Sequence, residues 1–190
     1  MPNRTQFADL DVVNQALTAM GETRLTQPLA SDDTPAGIVM RDNYAAVKEA
    51  ALSQSNWRFA TVKLALNLEN VTPPNRWAAQ WNLPADMLKA LYIWPPIKYE
   101  LQNGKLLTNI RSGLVLDYIR NVAEGEWPPW FTRYCVSELV LRTCKGITGD
   151  DPSRGMEAEQ ERALANANYQ DAQQQPNQTI LPNDFIDVRH

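Results

Sequence analysis

Hydrolysis or group transfer near neutral pH needs a few convergent polar side chains, and this sequence offers few that could serve. Its single histidine, His190, is the last residue, a position rarely held rigidly enough for catalysis. General acid–base work by histidine, and any Ser–His or Cys–His pair within one chain, is therefore not expected. The two cysteines, Cys135 and Cys144, fall nine residues apart in one predicted helix. At about 1.5 Å of rise per residue their Cα atoms lie roughly 13 Å apart, too far for a disulfide. They read as buried free thiols acting as small apolar side chains. No CxxC, HExxH or DxDxDG spacing is present, and no phosphate-binding glycine loop. Asp150-Asp151 and the trio Glu157, Glu159 and Glu161 are acidic clusters that a solvated helix start and helix face account for. No catalytic, cofactor-binding or metal-binding residue is assigned, and the expectation is a protein that is not an enzyme. A carboxylate-pair hydrolase is the enzyme alternative that composition leaves open.

What remains is contact chemistry. Near the C-terminus Ile180, Leu181, Phe185, Ile186 and Val188 stand among Pro182, Asn183 and Asp184. They are too few to form a core and too many for a purely solvating segment. Such a peptide suits strand addition or docking into a partner's groove, with packing back onto its own domain or simple disorder as the alternatives. Trp77, Trp81 and Trp94 lie near loops and turns, and tryptophan concentrates binding energy at interfaces. For Trp94, covering the sheet's own core face is the better reading; for Trp77 and Trp81, core and interface both stay open. The partner-interface candidates are thus Trp77, Trp81, Ile180, Leu181, Phe185, Ile186 and Val188.

The elements that position these groups follow from periodicity and punctuation. A first helix is predicted over 9–20, with Leu10, Val13, Leu17 and Met20 on one face and Gly21 as a stop. A second, over 35–57, opens with Thr34 as N-cap and Pro35 at the first helical position, beside Asp32 and Asp33. From 58 to 68 the period becomes two, which predicts a half-buried strand with Val62, Leu64, Leu66 and Leu68 on its apolar face. A proline-containing loop is expected over 70–84; 87–94 reads as helix or strand, with a short helix leading into a strand at 91–94 as the better reading. Asn103-Gly104, the pair favoured in a type I′ turn, sets a hairpin over 99–108, and a strand over 114–120 completes a small antiparallel sheet. Two further helices are expected over 129–147 and 152–174, the last rich in Ala, Glu and Gln with a narrow apolar side. The predicted fold is mainly α: a bundle of about four helices with a small antiparallel sheet inserted over 58–120 (α+β) in a single domain, 1–175. An extended C-terminal tail, 176–190, follows it.

A chain of 190 residues is one domain's worth and can bury a substantial core. A formal charge of −4, with basic residues scattered singly, argues against a coat for nucleic acid, which needs clustered Lys and Arg. The first twenty residues contain Arg4, Asp9 and Asp11 and lack a continuous apolar stretch, so a secretory leader is not expected. No window approaches the roughly 18 apolar residues of a membrane span. The expectation is a soluble chain, made in a cytoplasm, with no membrane partner.

Taken in order, these elements resemble the tail tubular protein A type of head–tail connector of short-tailed phages and its adaptor relatives. The resemblance begins at Val13, Asn14, Gln15, Ala16 and Leu17, followed by Met20, Gly21 and Glu22. It continues at the helix-to-strand junction over 50–60, where Trp57 and Phe59 flank Arg58. Leu83, Pro84, Ala85 and Asp86, the 99–108 hairpin, and the 127–149 segment with its Trp/Pro opening complete it. It covers roughly 9–174, and each motif is a packing signature, so their order carries the likeness.

The resemblance implies a structural subunit of the virion, placed at the head–tail junction beneath the portal. It implies a homo-oligomeric ring, usually a dodecamer, that links capsid to tail and continues the channel through which DNA passes without sequence-specific binding. The helices would pack side by side, the sheet would face the next tail component (a nozzle or tail tube), and the C-terminal tail would reach the portal protein. Negative charge facing such a channel would let phosphates slide. The alternative from another class is a small cytoplasmic peptide-binding or regulatory module that uses a sheet edge.

Overall fold

The computed structural model describes residues 8–71, 73 and 76–174. Four helices, α1 (Ala8–Met20), α2 (Pro35–Gln54), α3 (Pro129–Thr148) and α4 (Arg154–Gln173), form one part of the fold. Six strands, β1 (Thr61–Ala65), β2 (Ala79–Asn82), β3 (Met87–Trp94), β4 (Tyr99–Gln102), β5 (Lys105–Thr108) and β6 (Val115–Arg120), are inserted between α2 and α3. The architecture is α+β, as the sequence predicts.

Local chemistry fixes the helix ends. Thr34 caps α2, its hydroxyl accepting from the Gly37 N–H at 3.1 Å, while Asp32 accepts from the Thr34 N–H at 2.9 Å. Ser153 caps α4 by accepting from the Met156 N–H, and Gly149 ends α3 in the left-handed conformation that lets its N–H reach the Lys145 carbonyl. Asn14 is buried on α1 and holds the following connector: its amide donates to the Leu25 carbonyl at 3.1 Å and accepts the Leu25 N–H at 2.7 Å.

Apolar stripes of all four helices meet in one helical core. Val13 and Leu17 of α1, Met40, Tyr44, Val47 and Ala51 of α2, Leu139 and Val140 of α3, and Ala163 and Ala167 of α4 are all buried in it. Helix α3 is central and packs against the other three. Cys135 and Cys144 are buried free thiols on it. The fourth helix contributes only small buried side chains and is held laterally by Arg133–Glu159, with Gln160 bonded to Glu138. Tyr169 on α4 is exposed.

Two tryptophans mark where the sheet region leaves and rejoins the helices. Trp57 is fully buried and its indole N–H donates to the Ala51 carbonyl at 2.8 Å; Trp127 donates to the Val122 carbonyl at 3.1 Å. Phe59, Trp130, Phe131 and Tyr134 fill the space around them, with ring centroids 4.9–6.3 Å apart. Rings at such separations and tilts attract beyond the area they bury.

The strands differ from expectation in four ways. They form two three-stranded antiparallel sheets, in the orders β1-β6-β3 and β2-β5-β4, where a single small sheet was expected. The two sheets face each other over a second core of Leu66, Trp81, Ile93, Leu106, Leu114, Leu116 and Tyr118. The predicted 58–68 strand opens instead as a single helical turn, Arg58–Ala60, and its strand β1 ends at Ala65. Beyond Leu66 the chain crosses to the other sheet, where Leu68 bridges Trp81, and Leu64 and Leu68 are left exposed. The predicted loop over 70–84 carries β2.

The fourth difference is β3. It is one continuous strand where a short helix was expected at its start, and its pairing with β6 shifts register between Met87 and Lys89 and again between Ala90 and Tyr92. Each shift inserts a residue into the two-residue alternation. Leu88 and Leu91 consequently pack on the helical core, while Met87, Ala90 and Ile93 pack on the sheet core. The resulting three-residue spacing mimics a helix in the sequence. The hairpin is as predicted, with Asn103 and Gly104 both at positive φ.

Candidate interaction surface

The first sheet presents different residues on its two faces. Its inner face buries Leu116, Tyr118 and Ile93. Ile119 on the outer face is covered by the helical core, but farther along β6 that cover ends. There the register aligns Lys63, Asp117 and Tyr92 in one row, and Ala65, Val115 and Trp94 in the next. Tyr92 is 72% exposed and Trp94 69% exposed, the two most exposed large apolar side chains among the described residues. Lys63 and Asp117 form an ion pair at 3.3 Å beside them. With Pro96 these residues line an open, mainly apolar groove of about 510 Å³.

This overturns the expectation for Trp94. Leu116 and Ile93 fill the inner face, and Trp94, paired with Val115, points to the opposite side. Trp81 lies the other way, 3% exposed in β2 within the sheet core, its indole N–H 3.3 Å from the Ile110 carbonyl. Of the two possibilities open for it, the core is where the structure places Trp81. Trp77 is half-buried: its indole N–H donates to the Glu100 carboxylate at 2.9 Å, and the Arg76 guanidinium lies 5.3 Å from the ring centre. It borders an open groove with Ile97, Lys98 and Tyr99. Ile180, Leu181, Phe185, Ile186 and Val188 lie outside the described residues.

Tyr92 was missed by sequence reasoning. Its signal would have been the bulge: once β3 is read with two inserted residues, Tyr92 and Trp94 share a face that neither core claims.

Other polar groups serve the fold. Lys48 donates to the Glu124 carboxylate at 2.8 Å and the Tyr44 hydroxyl donates to the same oxygen at 3.1 Å, joining α2 to the turn before α3. Burial alone would raise the Glu124 pKa. The Lys48 hydrogen bond and charge, a backbone hydrogen bond and Tyr44 outweigh it and hold the carboxyl below its ordinary range. Burial pushes the Cys135 thiol up to about 12, with Glu124 and Glu138 adding to the shift. Glu69 accepts from Lys105 and Gln80, tying the crossing segment to the second sheet, and these bonds lower its pKa against burial. Among the described residues no group of three or more His, Cys, Asp or Glu side chains is placed to hold a metal. No described helix is long and apolar enough to cross a membrane. What the outer face can do chemically is bind by area and shape: two flat aromatic rings beside one cation and one anion. No protein-family model and no curated protein matches the chain.

Proposed function

We propose that this chain is a head–tail adaptor subunit of a tailed phage, assembling as a ring under the portal and continuing the DNA channel toward the tail. The order of packing motifs supports the family reading. The observation that carries it structurally is the outer sheet face with Tyr92 and Trp94 uncovered, beyond the part of that face the helical core covers at Ile119. Large aromatic side chains left in water on a regular sheet face suit a protein contact that completes the surface. In this reading the helices pack laterally in the ring and the Tyr92–Trp94 face meets the next tail component.

Replacing both aromatics with serine tests it. Because both side chains are mostly exposed, the Tyr92→Ser/Trp94→Ser chain keeps its melting temperature, since surface changes cost little. Binding to the ring's next tail component weakens by about 2 kcal/mol or more, roughly 30-fold. Unchanged affinity in the folded double variant would remove this face from the interface.

A second reading has its own observation. All four residues of β4, an edge strand, are exposed, and such an edge can accept a peptide as an added strand. A peptide-binding module would be a monomer or dimer indifferent to a portal.

A further inference from the structure

The first sheet is one strand short at β1. In the order β1-β6-β3, β1 is an edge, and among the described residues no strand pairs with its other side. Leu64 shows the consequence: its cross-strand partner Leu116 is fully buried, while Leu64 itself is 41% exposed. The apolar inner face runs past the last strand into water.

The hydrogen-bond phase of this edge is fixed. Leu66 donates to the Leu114 carbonyl at 2.9 Å, so pairs 66/114, 64/116 and 62/118 exchange bonds with β6. The N–H and C=O groups of Lys63 and Ala65 therefore point outward, while the Thr61 N–H is taken by the Arg58 carbonyl. The other free edges differ. β3 carries two register shifts, a device that blunts pairing, and β4 belongs to the second sheet.

The last described residues end close by. The Arg58 N–H donates to Asp171 at 2.9 Å and Ser55 donates to Asn168 at 2.9 Å, so the last turns of α4 rest at the foot of β1. Residues 175–190 follow, with an extended reach of about 50 Å. Within them Ile186, Asp187 and Val188 alternate apolar, polar, apolar. Set beside β1, Ile186 and Val188 fall on the face of Val62 and Leu64. Asp187 falls on the face of Lys63, whose side chain is 75% exposed and pairs with Asp117 while its ammonium has three donors in all. Neighbouring strands place such pairs within contact distance.

We propose that the chain's own segment 185–188 adds to β1 as a fourth strand of the first sheet, covering Leu64 and closing the edge against pairing between copies. The assignment is independent of the ring reading and concerns the isolated subunit.

Residue-resolved amide exchange on the full chain and on a chain ending at Gln175 tests it, without a portal. The amides of Lys63 and Ala65 exchange about tenfold or more slowly in the full chain than in the truncated one. Those of Val62 and Leu64, bonded to β6, stay slow in both. Lys63→Glu speeds the two outward amides in the full chain, and adding Asp187→Lys slows them again. Equal exchange of Lys63 and Ala65 in the full and truncated chains overturns the proposal. Protection that grows with protein concentration assigns the strand to another copy and overturns it as well.

Discussion

Replacing Trp57 with phenylalanine tests the idea that this side chain holds the junction between helices and sheet. Its ring is fully buried, with centroids 5.5–6.1 Å from those of Trp130, Phe131 and Tyr134. Its N–H donates at 2.8 Å to the Ala51 carbonyl, one of the last four of α2 and so without an i+4 donor inside the helix. Phenylalanine keeps an aromatic ring but leaves that carbonyl without the indole donor, at a cost of about 1–3 kcal/mol. Full truncation to alanine would remove about 3–5 kcal/mol of packing, and the smaller change to phenylalanine roughly 1–2 kcal/mol. The sum, about 2–5 kcal/mol, is a large share of a domain's stability, and it lowers the melting temperature by about 10 °C. Trp77→Phe is the control, because its N–H bonds Glu100 at an exposed site. It costs less than about 0.5 kcal/mol, or roughly 1–2 °C. Thermal unfolding followed by circular dichroism reads both. A Trp57→Phe chain melting within about 2 °C of the parent would refute the junction account, as would a Trp77→Phe chain that loses as much.

Other outcomes follow from the same structure. Glu124 has a folded pKa below its unfolded value, so the stability it contributes is whole above about pH 4.3 and is lost as pH falls through the folded value. Glu124→Gln should lower stability at neutral pH and flatten its decline into acid, measured by melting between neutral and acid pH. Cys135 and Cys144 are buried, and the raised Cys135 pKa keeps that thiol protonated. Neither should react with a maleimide in the native state and both should in denaturant, as intact mass would show. Gly37→Ala places a Cβ 2.3 Å from the Asp32 carboxylate oxygen that accepts the Thr34 bonds. It should destabilise by about 1–3 kcal/mol, read by urea unfolding.

The helices were legible because each carries its own signals: the Thr34-Pro35 start, the Gly149 stop, and apolar residues three and four apart that meet in one core. The hairpin was legible for the same reason, since Asn103-Gly104 specifies its turn locally. The sheets were not. Leu64, Leu66 and Leu68 alternate perfectly, yet the chain changes sheets between them, and which leucine is covered depends on partners far along the sequence. Along β3, inserted residues turned a two-residue pattern into a three-residue one. The surface suffered the same ambiguity. Tryptophan is equally at home in a core or an interface, so Trp81 and Trp94 could be separated only once the sheet faces were known.

The mass of the purified chain, alone and mixed with the portal from the same genome, tests the adaptor reading most directly. It should be taken for the full chain and for one ending at Gln175. The account predicts that the full chain gathers on the portal as a stoichiometric ring and that the shortened chain does not. A full-length chain that stays indifferent to the portal would contradict it and leave the edge-strand binding module as the better reading.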